Sequence, residues 1–300
     1  MKKVLKWIGV VLGVLVSLVV LTAGVVYIST EARLNRTYAV TVEPMLIPTD
    51  AAAIERGQHL AVIRLCVDCH ADNLAGRVFL DNPVIGRIFT KNLTSGKGGV
   101  DSEFSDADWV RAMRHGVRPD GKPLLIMPAS EFYYLSDADL GALIAYLRSL
   151  PPVDNELPVN VVGPLFRVAM TFMDPGAIPA ERIDHAAPRP IAPDVGITVA
   201  YGQYLALTCT GCHGPGFSGG PIPLAPPEFP KALNLTPGGE LTGWSNEMFI
   251  QTIRTGVTPG GHPMDDAYMP WKRLGQMTDD ELKAIFLFLR SLPAKEQGNR

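Results

Sequence analysis

Four cysteines and two histidines carry the chemistry most legible in this 300-residue chain. They fall into two pentapeptides, Cys66-Val67-Asp68-Cys69-His70 and Cys209-Thr210-Gly211-Cys212-His213, which use every cysteine present. C-x-x-C-H is the attachment signature of a c-type haem. Each thiol adds across one vinyl group of the porphyrin, and the adjacent histidine turns back to ligate the iron. Two intervening residues let both sulfurs reach the porphyrin edge from one turn of backbone. Competing chemistries fit less well. A structural zinc site would use C-x-x-C pairs but would not require a histidine directly after each. A thioredoxin-like pair belongs near a βαβ pattern, and none is visible. A disulfide within each pair would close a cramped loop and leave His70 and His213 without a role. The expectation is two covalently bound haem c groups, with thioethers at Cys66, Cys69, Cys209 and Cys212 and iron on His70 and His213.

An iron held by one histidine needs a sixth ligand or an open position, and that choice separates electron transfer from catalysis. A thioether suits electron transfer, because it is soft, stabilises reduced iron and leaves no place for substrate. Met127 and Met269 lie 57 and 56 residues after His70 and His213, each followed by proline. Methionines also fill irregular gaps in cores. Two at matching points of a repeat nevertheless single these out as axial ligands. Met264 competes in the second half, but its counterpart in the first half is Leu124. Met113, Met248 and Met277 fall in helical patterns or at a helix start and read as core. His59, His115, His185 and His262 have no histidine counterparts and are set aside. Arg77, Asn92 and Asn234 are candidates to hydrogen-bond haem propionates, the asparagines because Asn-Leu-Thr occurs in both halves.

The elements that must position these residues come in duplicate. Gly57-Gln58-His59-Leu60-Ala61 is echoed by Gly202-Gln203-Tyr204-Leu205-Ala206, and Arg114-His115-Gly116-Val117 by Arg254-Thr255-Gly256-Val257. Met127 to Pro151 aligns without a gap on Met269 to Pro293. In the first copy, a helix from Ala51 to Leu65, capped by Thr49 or Asp50, leads into Cys66. Ser105 caps a helix reaching about His115, with Asp106 and Asp108 complementing its dipole. Ser136 to Asp139 resembles a capping box and opens a helix to Leu150, stopped by Pro151 and Pro152. Leu140, Leu143, Ile144 and Leu147 line one face of it. Thr278 and Glu281 form the corresponding box in the second copy. The segment from Asp72 to Val100 has turn residues and no sustained period. The expected architecture is all-α: two tandem domains, residues 51–152 and 197–294, followed by a polar tail, 295–300. Residues 153–196 form a proline-rich linker whose apolar part, Val159 to Met173, is read as a strap over the inter-domain surface in preference to a membrane-dipping segment, which Gly163, Pro164 and Arg167 would interrupt.

Before the first copy, Lys2, Lys3 and Lys6 precede an uncharged apolar run from Trp7 to Ile28, enough to cross a bilayer as a helix. The lysines predict a cytoplasmic N-terminus with the remainder exported, which agrees with where bacteria attach haem c. No good cleavage site follows the run, so residues 1–30 read as a retained single-pass anchor and 31–50 as a polar stalk. The formal charge of −3 includes no basic run, so nucleic acid is not implied as a partner.

These residues resemble class I cytochrome c domains. The finer pattern (Asn92-Leu93-Thr94, Phe104 to Trp109, Arg114 to Val117, Asp120-Gly121, Met127-Pro128, Leu135-Ser136-Asp137) is similar to the membrane-anchored multi-haem cytochrome c subunits of bacterial alcohol and gluconate dehydrogenases. It departs from them in carrying two haem motifs where they commonly have three. The resemblance implies an electron-transfer protein rather than an enzyme, passing single electrons from a dehydrogenase or quinol-oxidising complex to an oxidase, soluble cytochrome or reaction centre. A dihaem peroxidase with one catalytic haem, and the electron-accepting anchor subunit of a membrane-bound dehydrogenase, are the alternatives.

Overall fold

The computed structural model describes residues 2–173, 176–222, 225 and 229–299. Helix α1 (Lys2–Leu34) is a single apolar rod, long and apolar enough to cross a membrane. It runs beyond the expected boundary at residue 30, because Val26 and Thr30 are buried against a later helix that steadies its last turns. Residues 35–49 are not a free stalk. Tyr38 donates its backbone N–H to Gly121 O at 2.9 Å, and Val42, Met45 and Ile47 pack on the core.

Helix α2 (Ala51–Ile63) starts at Asp50, whose carboxylate accepts the Ala53 N–H. A left-handed Leu65 breaks the chain direction before α3 (Cys66–His70). Helix α4 (Asp106–His115) opens with a full Ser105–Asp108 capping box and ends at Gly116, φ 63°. A short α5 (Ala129–Phe132) follows Pro128, and α6 (Asp137–Ser149) is capped by Ser136. Helix α7 (Pro164–Phe172) lies in the linker. The second copy repeats the series as α8 (Val199–Ala206), α9 (Thr210–His213), α10 (Asn246–Thr255), α11 (Trp271–Leu274) and α12 (Asp279–Ser291).

The all-α expectation needs correcting. Strands β1 (Val78–Asn82) and β2 (Gly86–Phe89) form an antiparallel hairpin, and β3 (Val161–Val162) adds to β2 from the linker. The hairpin turns on Asn82, whose side-chain oxygen accepts the N–H groups of Val84 and Ile85. Strands this short show too little alternation to declare a period, and the third comes from more than 70 residues away.

In each copy the first helix crosses the last, α2 on α6 and α8 on α12. The crossings occur at Gly57 and Gly202, where backbone meets backbone. The buried residues of both copies form one continuous core: Leu60, Ile63, Leu140, Leu143, Ile144 and Leu147 share it with Leu205, Leu282, Ile285 and Leu289.

The two copies meet through reciprocal contacts. His59 of α2 donates to Glu281 at 2.8 Å, and Tyr204 of α8 donates its hydroxyl to Asp139 at 2.7 Å. These are matching positions of the repeat, so the junction has the self-complementary logic of a two-fold interface. Asp139 therefore does not complete the capping box expected with Ser136; it is bound by Arg56 and Tyr204 instead. Burial would raise the Glu281 pKa, but the hydrogen bond from His59, the Thr278 backbone N–H and the Arg56 charge outweigh it and hold the group at about 2. Ionised Glu281 thus contributes stability that is fully present above its ordinary range and lost as pH falls from about 4.5 towards about 2. The expected contribution is roughly 3 kcal/mol. Acid titrations of melting temperature should show this loss in the wild type and a much flatter curve in Glu281→Gln.

Among the described residues, the apolar part of the linker packs on α1 and the first copy rather than over the junction between the copies. Phe166 and Met170 of α7, with Ala177, Ile178 and Ala180, build a second core against Val117 of the first copy, with Leu34, Tyr38 and Val40 packed around it. Arg167 reaches Thr30 and Glu31, and Arg33 pairs with Glu181. The linker thereby fastens the end of α1 to the first copy.

Candidate haem sites

Helices α3 and α9 each present two cysteines and a histidine within about one turn, counting Cys209 at the N-cap of α9. Cys66 is buried, and Cys69, Cys209 and Cys212 are partly so. Burial pushes the Cys66 and Cys209 thiols up to about 12, so both stay protonated in the haem-free chain. Among the described residues no three His, Cys, Asp or Glu side chains converge as a zinc site would require.

The histidines are oriented identically. His70 Nδ1 lies 2.7 Å from Lys91 O, and His213 Nδ1 lies 2.7 Å from Leu233 O. A carbonyl only accepts, so each Nδ1 carries the proton and each Nε2 keeps its lone pair for a metal. Behind each histidine the backbone reverses through the same unusual conformation, Ala71 at φ 66° and ψ 165° and Gly214 at φ 75° and ψ 162°. Only glycine adopts that region freely, so Ala71 holds local strain where the chain turns off the motif. Gly76 and Gly219 then donate back to the carbonyls of His70 and His213.

Met127 and Met269 stand half-buried against the core at the heads of α5 and α11. Pro128 and Pro270 share one backbone conformation, φ −80° and ψ 58° against φ −75° and ψ 58°. Of the methionines read as core, Met113 and Met277 are buried while Met248 is exposed on α10.

Asn92 and Asn234 hold structural hydrogen bonds. Both are buried, and each side-chain oxygen accepts from the backbone and hydroxyl of the threonine two residues on. Asn92 spends its amide on Val153 O at 2.7 Å and Lys97 O, and Asn234 bonds Lys295 O at 2.7 Å. They tie the chain beyond each last helix to the loop below the haem motif. Replacing Asn92 with alanine leaves Val153 O with the Thr94 hydroxyl as its donor and the Thr94 N–H without its acceptor; a loss of roughly 2–3 kcal/mol is expected, measured by denaturant unfolding.

The junction also carries groups that inspection of single motifs misses. Arg64, two residues before Cys66, is 7% exposed and donates to Tyr204 O at 3.1 Å, Leu205 O at 3.3 Å and Thr208 Oγ1 at 2.9 Å. It thus joins the approach to the first motif to the approach to the second. Arg273 of α11 pairs with Asp68, inside the first motif, and with Asp72. Its counterpart Glu131 of α5 stands beside Gly211, inside the second motif, where a Cβ would come within 3.0 Å of its carboxylate. Burial raises the Glu131 pKa to about 7, against the opposing charge of Arg64. Each copy's post-methionine helix therefore abuts the other copy's haem motif.

Motifs that present two thiols and a backbone-oriented imidazole on one helical turn define a class, proteins that hold haem c covalently. The profile of the cytochrome c family matches residues 54–151 and 199–293, and the chain belongs to that family. It is 28% identical over 287 residues to the fructose dehydrogenase cytochrome subunit of Gluconobacter japonicus, covering 84% of this chain and 56% of that protein. It is also 28% identical over 291 residues to the cytochrome c subunit of the alcohol dehydrogenase (quinone) of Komagataeibacter europaeus, covering 83% and 58%. A third relative, the gluconate 2-dehydrogenase cytochrome c subunit of Pantoea cypripedii, is 28% identical over 283 residues, covering 82% of this chain and 60% of that protein. The chain thus spans little more than half the length of these relatives.

Proposed function

We propose that this chain is a membrane-anchored dihaem cytochrome c that relays single electrons. The observation that carries the reading is the repeated imidazole bond: the same nitrogen of His70 and His213 donates to a backbone carbonyl over the same distance, in both copies. Cys66 and Cys69 would hold one haem and Cys209 and Cys212 the other, in domains 51–152 and 197–294. His70 with Met127, and His213 with Met269, would be the axial pairs. Bound haem c supplies a one-electron iron couple; the chain supplies its setting. Lys91 O and Leu233 O fix the imidazoles and raise their basicity. Thioethers on the stiff Met-Pro turns would occupy the positions a substrate would otherwise enter, which favours relay over peroxidase chemistry. The reciprocal seating of α5 and α11 on the opposite motifs supports passage of the electron between the two haems.

The three lysines in the first turns of α1 favour haem domains outside the cytoplasmic membrane. The relatives named above are dehydrogenase subunits, so the electron donor is a dehydrogenase. The acceptor is a further redox protein, in a respiratory or photosynthetic chain. A pyridine haemochrome assay on the purified protein tests the cofactor count, with two haems per chain expected. The oxidised visible spectrum tests ligation: a weak sulfur-to-iron band of two-haem intensity is expected, halved by Met127→Ala. High-spin features at one iron of the wild type would overturn the relay and direct attention to catalysis at that haem.

A further inference from the structure

Helix α7 is apolar on the side turned away from the protein as well as on the side turned in. Its inward face, Phe166 and Met170, fills the second core. Leu165, Val168, Phe172 and Met173 point outward and are 53%, 43%, 67% and 71% exposed. Val84, 52% exposed, extends this patch, because its carbonyl accepts the Leu165 N–H at 3.1 Å. The helix has two polar side chains, and neither serves that surface. Arg167 donates to Thr30 Oγ1 at 2.7 Å and Glu31 Oε1 at 2.6 Å and lies over the Tyr27 ring at 4.5 Å. Thr171 donates to the Arg167 carbonyl. A helix apolar all round does not belong on a water-facing surface.

The position of α7 along α1 identifies what covers it. The run from Trp7 to Ile28 rises about 33 Å, close to the roughly 30 Å of a bilayer's hydrocarbon core. Helix α7 grips α1 at Tyr27, Thr30, Glu31 and, through Met170 O, Arg33, the turns at and just past the end of that run. Tyr27 is itself of the type that settles at the membrane–water boundary. From these observations we infer that α7 rests in the outer headgroup layer of the bilayer with Leu165, Val168 and Phe172 in lipid, so that the linker is a second membrane contact holding the haem domains at a fixed height. This rests on the reading of α1 as a membrane anchor. Charge does not oppose the placement, since Arg167 is spent on Glu31 and Arg33 on Glu181.

The test uses the full-length haem-loaded protein in vesicles containing a phospholipid with a diazirine in its acyl chain. After illumination, lipid adducts are mapped by peptide mass spectrometry. Adducts on α1 and on α7, centred on Leu165, Val168 and Phe172 and reduced at least about threefold by the double substitution Leu165→Glu/Phe172→Glu, are the expected result. Adducts on α1 with none on α7, or α7 adducts that the double substitution leaves unchanged, overturn the proposal and leave the anchor intact. An unlabelled α1 overturns the anchor reading, and the proposal with it.

Discussion

Gly57→Val and Gly202→Val should each destabilise the protein by at least about 3 kcal/mol, among the largest effects of any single substitution outside the haem motifs. At Gly57 a Cβ would collide with the Ala142 carbonyl oxygen and stand 2.6 Å from its carbon and 2.7 Å from Tyr146 Cβ. At Gly202 it would meet the Ala284 carbonyl in the same way, with Phe288 Cβ at 2.9 Å. Backbone cannot step aside as a flexible side chain can, so α2 would have to lift off α6, or α8 off α12, and open the core. Both variants should melt in one transition, because the two copies share one core. The expected drop is roughly 6–12 °C by calorimetry. Gly243→Ala serves as the control, as nothing lies within 4 Å of a Cβ there. Two separate transitions in the wild type would show that the copies fold independently and that the shared core contributes little.

Arg64→Leu should produce the second large effect, and on two separate readouts. The guanidinium is buried with no ion-paired carboxylate among the described residues, and it satisfies two carbonyls at the end of α8. Leucine fills similar space but takes the guanidinium donors from Tyr204 O and Thr208 Oγ1 and leaves Leu205 O with the Leu207 N–H alone, a loss of roughly 3 kcal/mol. Removing a buried positive charge from between the two motifs also favours oxidised iron, so both midpoint potentials should fall on the relay reading. Arg64→Lys separates the two effects. It keeps the charge but cannot fork to three acceptors, so stability should drop while the potentials stay near those of the wild type. Unchanged potentials in Arg64→Leu would show that the junction is only a structural contact.

What was legible in the sequence was local. The helix caps at Asp50, Ser105 and Thr278 are each specified within a few residues, and the structure builds them as their spacing implies. What was not legible depends on partners far along the chain. Repetition marked Asn92 and Asn234 as special, but their tasks are set by Val153 and Lys295, each 61 residues on. His59 and Tyr204 looked unrelated by residue type, yet both donate to the acidic residue at the same point of the opposite closing helix. A pairwise comparison of donor capacity across the repeat, rather than of residue identity, would have found them. The linker misled for a similar reason: its apolar content announced burial but not that half its surface would be left facing outward beside α1.

The burial of Cys66 in the core built by both copies sets an order of events in the making of this protein. If Cys66 carries a haem thioether, as proposed above, an enclosed sulfur could not receive the macrocycle and the bond would form while the junction is open. The part of the chain that closes it, beginning with α8, leaves the ribosome more than 130 residues after Cys66. At ordinary synthesis rates that interval is roughly 7–30 s. On the proposed reading, with α1 made earlier as an anchor, a first cofactor would have that interval to load before the rest of the polypeptide could cover it.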